Sequence, residues 1–277
     1  MVFSDKYDHA EDIELIDDAV SGSKAALSAL IKKHQDYVYN IALKLFLQPA
    51  DAKDATQEVF IKMITNLKSF KKESQFRTWL YRIAVNHFLS MKGKKAESVM
   101  AGNPQKIKKI TTTISEETES LDEELVEEVR LLCSTAMLMC LDREQRLIYI
   151  IGEIFGTDHK LGAELFNTST GNYRVKLHRA KTHLLNFVSN KCGLINPENP
   201  CRCPKKTREF MKAGIVSKTN IRFNKDYKYK ISEVVKRKKD DVNDLIQLKL
   251  KDYFQESPFQ TKNHLDNLLD ELVSNSI

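Results

Sequence analysis

The stretch "DAKDATQEVFIKM", residues 51–63, sets the architecture. At about 100° per residue, Ala52, Ala55, Val59, Phe60 and Met63 fall on one face of a helix. That is a core face. The opposite side carries Asp54, Gln57, Glu58 and Ile61 at spacing i, i+3, i+4, i+7. A purely solvated face has no need of Ile61, so periodicity alone leaves this acidic and amidic stripe unexplained. Asp51 follows Pro49 and is expected to cap the helix, with Asp54 in its first turn.

The same 3.6 period recurs outward from this segment, and strict alternation does not. With only 9 Gly and 6 Pro in 277 residues, an all-α chain is expected rather than a turn-rich β fold. Residues 11–48 read as two helices, the second with Leu27, Leu30, Ile31, Tyr37, Val38, Ile41 and Leu45 at helical spacing. A fourth helix starts near Phe76 and runs into the basic run "KGKK". On it Phe76, Trp79, Leu80, Ile83 and His87 form the expected core face. Arg77, Tyr81, Phe88 and Lys92 share another face. Cations interleaved with rings suit single-stranded nucleic acid, each stacked base being worth roughly 1–3 kcal/mol. The same pattern also describes an ordinary helix surface with snorkelling basic stems.

Four segments are expected: helical domain 11–95, linker 96–124, helical domain 125–190 and extension 191–277. The linker region is acidic, with eight Asp/Glu and no Lys or Arg between 111 and 129. In the second domain Asp142 and Gln145 resemble a capping box opening "REQRLIYIIGEIFG", which Gly156 ends. Thr157 or Asp158 caps the next helix. A tight "NTST" turn follows, with Asn167 placed for the left-handed conformation. A longer helix begins at Thr170. This is helix–turn–helix grammar. Its first turns carry Asn172, Arg174, Lys176, His178 and Arg179, residue types that read base edges and hold phosphates. A basic helix in an ordinary bundle has the same composition.

Nothing points to catalysis: there is no phosphate-cradling Gly loop, no metalloprotease HExxH and no nucleophile elbow. No apolar run is long enough to span a bilayer, and no signal-peptide pattern opens the chain, so a cytoplasmic protein without membrane insertion is expected. The odd count of five Cys fits reduced thiols. Cys192, Cys201 and Cys203 nevertheless have C-x8-C-x-C spacing. Three thiolates can hold Zn²⁺ or Cu(I), or act as a redox switch. Structural zinc normally takes four ligands, and His183 is the nearest fourth. The plain alternative is three thiols in a Pro-rich turn. Residues 205–240 hold 13 Lys/Arg against 4 Asp/Glu, and a short amphipathic helix ends the extension, which is expected to be mostly helical.

In combination, "DAKDATQEVF", "LKSF", "FRTWLYRIAVN" and a basic end resemble the second conserved region of bacterial sigma factors of the extracytoplasmic-function type. "LDREQRLIYIIGEIFG…AELFNTSTGNYRVKLHRAK" resembles their fourth, so that residues 15–190 follow the family's plan. The resemblance implies a non-enzymatic factor that binds core RNA polymerase, recognises −10 and −35 promoter elements, helps melt promoter DNA and directs initiation. It implies contacts from Asp54, Gln57 and Glu58 to the β′ clamp helices, extended by Ile61 on the angular argument, and a further contact to the β flap. It implies −10 recognition by Phe70, Lys71, Ser74, Phe76, Arg77, Asn86, Lys92, Lys94 and Lys95. It implies −35 recognition by Thr170, Asn172, Tyr173, Arg174, Lys176, His178 and Arg179, and an anti-sigma partner in some members. Departures include "KGKK" in place of a paired arginine, Gly162 where a branched apolar residue is usual, and Asn172, Tyr173 and Val175 in the last helix. The alternatives are a helix–turn–helix regulator independent of polymerase and a metal- or redox-sensing adaptor.

Overall fold

The computed structural model describes residues 8–46, 49–91, 122–212, 214 and 216–217. The described elements are helical: α1 (His9–Val20), α2 (Lys24–Phe46), α3 (Pro49–Asn66), α4 (Phe76–Ser90), α5 (Glu123–Met137), α6 (Arg143–Tyr149), α7 (His159–Leu165), α8 (Thr170–Ser189) and α9 (Cys203–Lys212). The protein is all-α. Among the described residues no helix is long and apolar enough to cross a membrane. Most of the expected acidic linker, and everything beyond 217, lies outside the described residues.

The described residues fall into two compact units. One takes in everything up to 91 together with 143–177; the other takes in 122–142 and 178–217.

In the first unit α2 is the central helix, buried over most of its circumference from Leu27 to Phe46. α1 starts at an Asp8 cap whose Oδ1 accepts from Glu11 N at 3.1 Å. It is fastened to α2 by Asp12, a fully buried carboxylate 2.8 Å from Lys33 Nζ and 2.9 Å from His34 Nε2. A buried charge is tolerable only with such partners. α3 begins earlier than the sequence suggests: Pro49 opens it, with the proline's missing N–H falling where no bond is needed, and Asp51 lies in the first turn instead of capping. Its core face is as expected, with Ala52, Ala55, Val59, Phe60 and Met63 all at 0% exposure.

α4 departs from expectation. Tyr81 and Phe88, placed on an outward basic–aromatic face, are buried. Tyr81 stacks on Tyr37 with centroids 4.1 Å apart, and Phe88 meets Phe46 edge-on at 5.9 Å. The reason is that α4 is covered by more than one neighbour. It packs on α2 and α3 and also on α6 and α7 from the 143–177 segment, so its buried arc exceeds one stripe. That segment is fixed by fully buried Arg146, whose Nη1 donates to Leu45 O at 2.9 Å near the C-terminus of α2. Phe155 meets Tyr37 edge-on at 4.9 Å, and Arg82 Nε donates to Glu164 O at 3.2 Å. The helix expected over "REQRLIYIIGEIFG" is α only to Tyr149. It widens to a π turn over Ile150–Ile154 and is ended by Gly156 at φ +68°.

In the second unit α5 packs against α9. Val129, Phe210 and Val216 form the contact, with Leu132 and Cys133 against them.

Lys44 is buried on α2, and burial pushes its ammonium down to about 7. In the unfolded chain it titrates near 10.5. Between these values the unfolded chain holds more protons, so Lys44 makes stability rise with pH through that window and fall as pH drops to about 7. Lys44→Met is expected to flatten this dependence and to stabilise the chain at neutral pH by on the order of 2 kcal/mol. Denaturant melts at a series of pH values read both effects, and an unchanged slope would show that Lys44 does not carry them.

Candidate functional site

The α3 stripe is presented as the angular reading requires. Asp54 and Glu58 are exposed, Gln57 is half-exposed, and Ile61 is 44% exposed although its chain neighbour Phe60 is fully buried. Two residues that the sequence reading did not assign to the stripe support it from behind. Buried His87 of α4 places Nε2 3.4 Å from Glu58 Oε2, and Lys62 Nζ lies 2.8 Å from His87 Nδ1. Burial, and then the Lys62 charge, push the imidazole below its usual value, while Glu58 pulls it up. A neutral ring accepts from the Lys62 ammonium at Nδ1 and keeps its own proton on Nε2, facing Glu58. The i, i+4 spacing of Glu58 and Lys62 was visible in sequence; the histidine between them was not.

The segment from Leu67 to Trp79 holds an aromatic cluster. Phe70 lies 5.5 Å from Phe76 and 5.3 Å from Trp79, and Phe76 lies 5.6 Å from Trp79. Phe76 is fully buried and Phe70 nearly so, so the exposed rings expected here are not presented: only Trp79 is partly open. Of the residues matched to −10 recognition, the accessible ones are polar. Lys71 and Asn86 are exposed, and Ser74 and Arg77 half-exposed, with Arg77 Nε donating to Gln75 Oε1 at 2.9 Å. Lys92, Lys94 and Lys95 lie outside the described residues.

The turn before α8 is built as its sequence suggests. Asp158 caps α7, its Oδ1 accepting from Lys160 N at 2.8 Å and Leu161 N at 2.9 Å. Asn167 takes the left-handed conformation at φ 48°. Ser169 Oγ accepts from Asn172 N at 3.2 Å, and Asn172 Nδ2 donates to Thr168 Oγ1 at 2.7 Å. On α8, Asn172, Arg174, His178 and Arg179 are exposed, and Thr170 and Lys176 half-exposed. Arg174 Nε donates to His159 Nδ1 at 3.2 Å, and Lys176 pairs with Glu144 at 2.6 Å. Arg82, Lys160 and the turn from Asn167 to Thr170 line a groove of about 570 Å³.

Tyr173 is the correction. Matched to base reading, it is instead fully buried, in a cluster with Ile148, Ala163 and Leu177. It also explains the glycine that departs from the family. A Cβ at Gly162 would collide with the Tyr173 ring, and one at Gly152 in the π turn would stand 2.9 Å from its hydroxyl. The two departures are one packing solution: a large ring on α8 occupies the volume that a branched residue on α7 would fill. The Tyr173 hydroxyl has no hydrogen-bond partner among the described residues.

Cys192, Cys201 and Cys203 are free and half-buried, in and beside the loop joining α8 to α9. His183, the expected fourth ligand, is exposed on α8.

Residues 30–97 match the Sigma-70 region 2 family, a span that takes in most of α2 and all of α3 and α4. Over 185 residues the chain is 28% identical to the ECF RNA polymerase sigma-E factor of Haemophilus influenzae, covering 64% of this chain and 95% of that one. The chain thus carries a match to Sigma-70 region 2 and is similar, over 64% of its length, to an extracytoplasmic-function sigma factor. The chain is also 27% identical over 174 residues to the ECF RNA polymerase sigma factor SigE of Mycolicibacterium smegmatis, covering 61% of this chain and 65% of that one. Among solved structures, that of CnrH in complex with the cytosolic domain of CnrY is similar at 20% identity and a TM-score of 0.47, covering 65% of this chain and 97% of that one.

The Tyr173 packing gives a direct test. Gly162→Ala is expected to lower stability by about 1–3 kcal/mol through overpacking. Gly162→Ala combined with Tyr173→Leu should recover part of that loss, a coupling that a double-mutant cycle measures by thermal melting. Tyr173→Phe, which removes only the unpartnered hydroxyl, should be at least as stable as the parent. Additive effects of the first pair would mean that the two positions do not share one volume.

Proposed function

We propose that this sigma factor docks core RNA polymerase through Asp54, Gln57, Glu58 and Ile61 against the β′ clamp helices, with a second contact to the β flap, and directs initiation by reading both promoter elements. The observation that carries the reading is the α3 stripe: carboxylates, an amide and a half-exposed isoleucine held outward on a helix whose other face is fully buried. Polar groups orient a partner helix, and Ile61 offers apolar area that is buried only on docking. The chain makes and breaks no bond; its work is binding, carried out in the cytoplasm beside the polymerase.

Lys71, Ser74, Arg77 and Asn86, with Lys92, Lys94 and Lys95, serve the −10 element in this reading. Extruding a base costs a few kcal/mol, which a pocket and a stacking ring must offset. The Phe70, Phe76 and Trp79 cluster supplies the rings, with Trp79 the partly open member. Thr170, Asn172, Arg174, Lys176, His178 and Arg179 serve the −35 element, while Tyr173 supports them from inside. The two elements stand about 25 base pairs apart, about 85 Å at ~3.4 Å per step. Residues 143–177 pack on α2 and α4 within one unit. Engaging both elements therefore requires this packing to open, and an anti-sigma partner would act by holding it shut.

The test is reconstitution with core polymerase and transcription from a genomic promoter library. Glu58→Lys should weaken polymerase binding about tenfold, equivalent to ~1.4 kcal/mol, with folding unchanged. Arg174→Ala should cost upstream-element recognition about 1–3 kcal/mol and leave polymerase binding intact. A protein that bound promoter DNA alone and formed no complex with polymerase would instead be a helix–turn–helix regulator.

A further inference from the structure

Glu58 and Lys62 are four residues apart on α3, the spacing at which a carboxylate and an ammonium pair along a helix. Among the described residues they do not pair with each other. Lys62 Nζ turns instead to His87 Nδ1 on α4, at 2.8 Å. Glu58 Oε2 is left 3.4 Å from the other ring nitrogen, Nε2. The His87 side chain is 4% exposed and that of Glu58 58% exposed. A buried ring therefore separates two charges that the helix alone would bring together.

The ring is held from its own helix. His87 O accepts from Met91 N at 3.0 Å and from Ser90 Oγ at 2.9 Å, at the C-terminal end of α4. Nε2 is buried and makes no regular hydrogen bond among the described residues. A buried N–H in that state favours any carboxylate within reach, and Glu58 is the one beside it. A neutral donor steadies that side chain and still leaves it its full charge and a second oxygen.

Lys62 and Glu58, both from α3, are the charged groups that act on the ring. α1, α2, α6 and α7 also pack on α4. Among the described residues none of them places a charged side chain against His87. Arg143 of α6 donates instead to the Phe88 and Met91 carbonyls.

We infer that His87 is a positioning residue for the α3 stripe: it takes up the Lys62 ammonium, keeps it off Glu58, and so leaves the Glu58 carboxylate charged for a basic side chain of the partner. The inference rests on the stripe being the polymerase-docking surface. It assigns the buried residue that makes the stripe usable. Without it the i, i+4 pair closes on itself and the stripe loses a charge.

A protonated ring reverses the arrangement. Nδ1 then carries a proton and cannot accept from Lys62, and the imidazolium pairs with Glu58. Burial, and then the Lys62 charge, oppose that protonation, while Glu58 favours it. The reversal therefore lies below the usual histidine value, and docking weakens only in acid. A cation docked on Glu58 disfavours the ring proton, so docking releases at most one proton and affinity falls at most about tenfold per pH unit.

The test combines core-polymerase binding with nitrogen NMR of the full-length free chain. Near neutral pH His87→Leu should weaken docking about threefold or more, because freed Lys62 swings to Glu58. Adding Lys62→Met should restore most of that loss, which a merely structural role for the ring would not allow. His87→Gln, which keeps a donor and an acceptor without titrating, should lose less than His87→Leu. In the free parent chain the proton should sit on Nε2. Lys62→Met should raise the ring's titration midpoint, and Glu58→Gln should lower it. Parent docking should weaken as pH falls toward that midpoint, and docking of His87→Gln should not follow. Circular dichroism at each pH reports folding, which acid also opposes at a buried histidine. The NMR arm needs no leucine variant, so it decides even where His87→Leu unfolds the chain. If Glu58→Lys leaves polymerase binding intact, the stripe is not the docking surface and both readings fall. If Glu58→Lys weakens binding but Lys62→Met gives no rescue, or the midpoint moves with neither neighbour, the role of His87 alone is overturned.

Discussion

A guanidinium inside an apolar core must find acceptors, and Arg146 finds one at the end of α2. Leu45 O is among the last carbonyls of that helix, which have no partner inside it, and the helix dipole there favours a cation. This bond joins a residue of the helix–turn–helix segment to the central helix of the first unit. Around it Tyr37, Tyr81 and Phe155 pack ring against ring. Replacing Arg146 by an apolar residue would leave the carbonyl bare, and truncating α2 would take an acceptor from a buried charge. The two therefore fix each other, and the aromatic burial of α4 follows from them.

On the proposed reading that closure carries a functional cost, as suits a regulated initiation factor. The surfaces assigned to DNA are available in unequal degree. The polar residues of α8 are open, whereas the rings near the start of α4 are mostly shut in. The α3 stripe stays open throughout. A factor of this form can be recruited before it is competent to hold an extruded base. On the proposed reading, opening of the 143–177 packing would link promoter engagement to the energetics of buried aromatic area.

Several features were legible in the sequence because they are local. The α3 core face, the Asp158 cap, the left-handed Asn167 and the Gly156 stop each depend on residues within a few positions of one another. The misreadings share one cause. Tyr81 and Phe88 were placed outward by composition and Tyr173 by the family resemblance, and all three are inside. Each is covered by a segment remote in sequence: Tyr81 by Tyr37, Phe88 by Phe46, and Tyr173 by the space at Gly152 and Gly162. Gly162 looked like a defect when read alone and becomes half of a matched pair once its neighbour is known.

The sequence by itself determined the helical class, most helix boundaries, and the composition of the stripe that faces outward on α3. Helical period is a property of the chain, and it says which residues share a face. Only the tertiary structure decided which faces are covered. It paired Arg146 with α2, set His87 between Glu58 and Lys62, and packed Cys133 against the Val129, Phe210 and Val216 cluster. Coverage depends on contacts between segments far apart in the chain, and no local pattern encodes those.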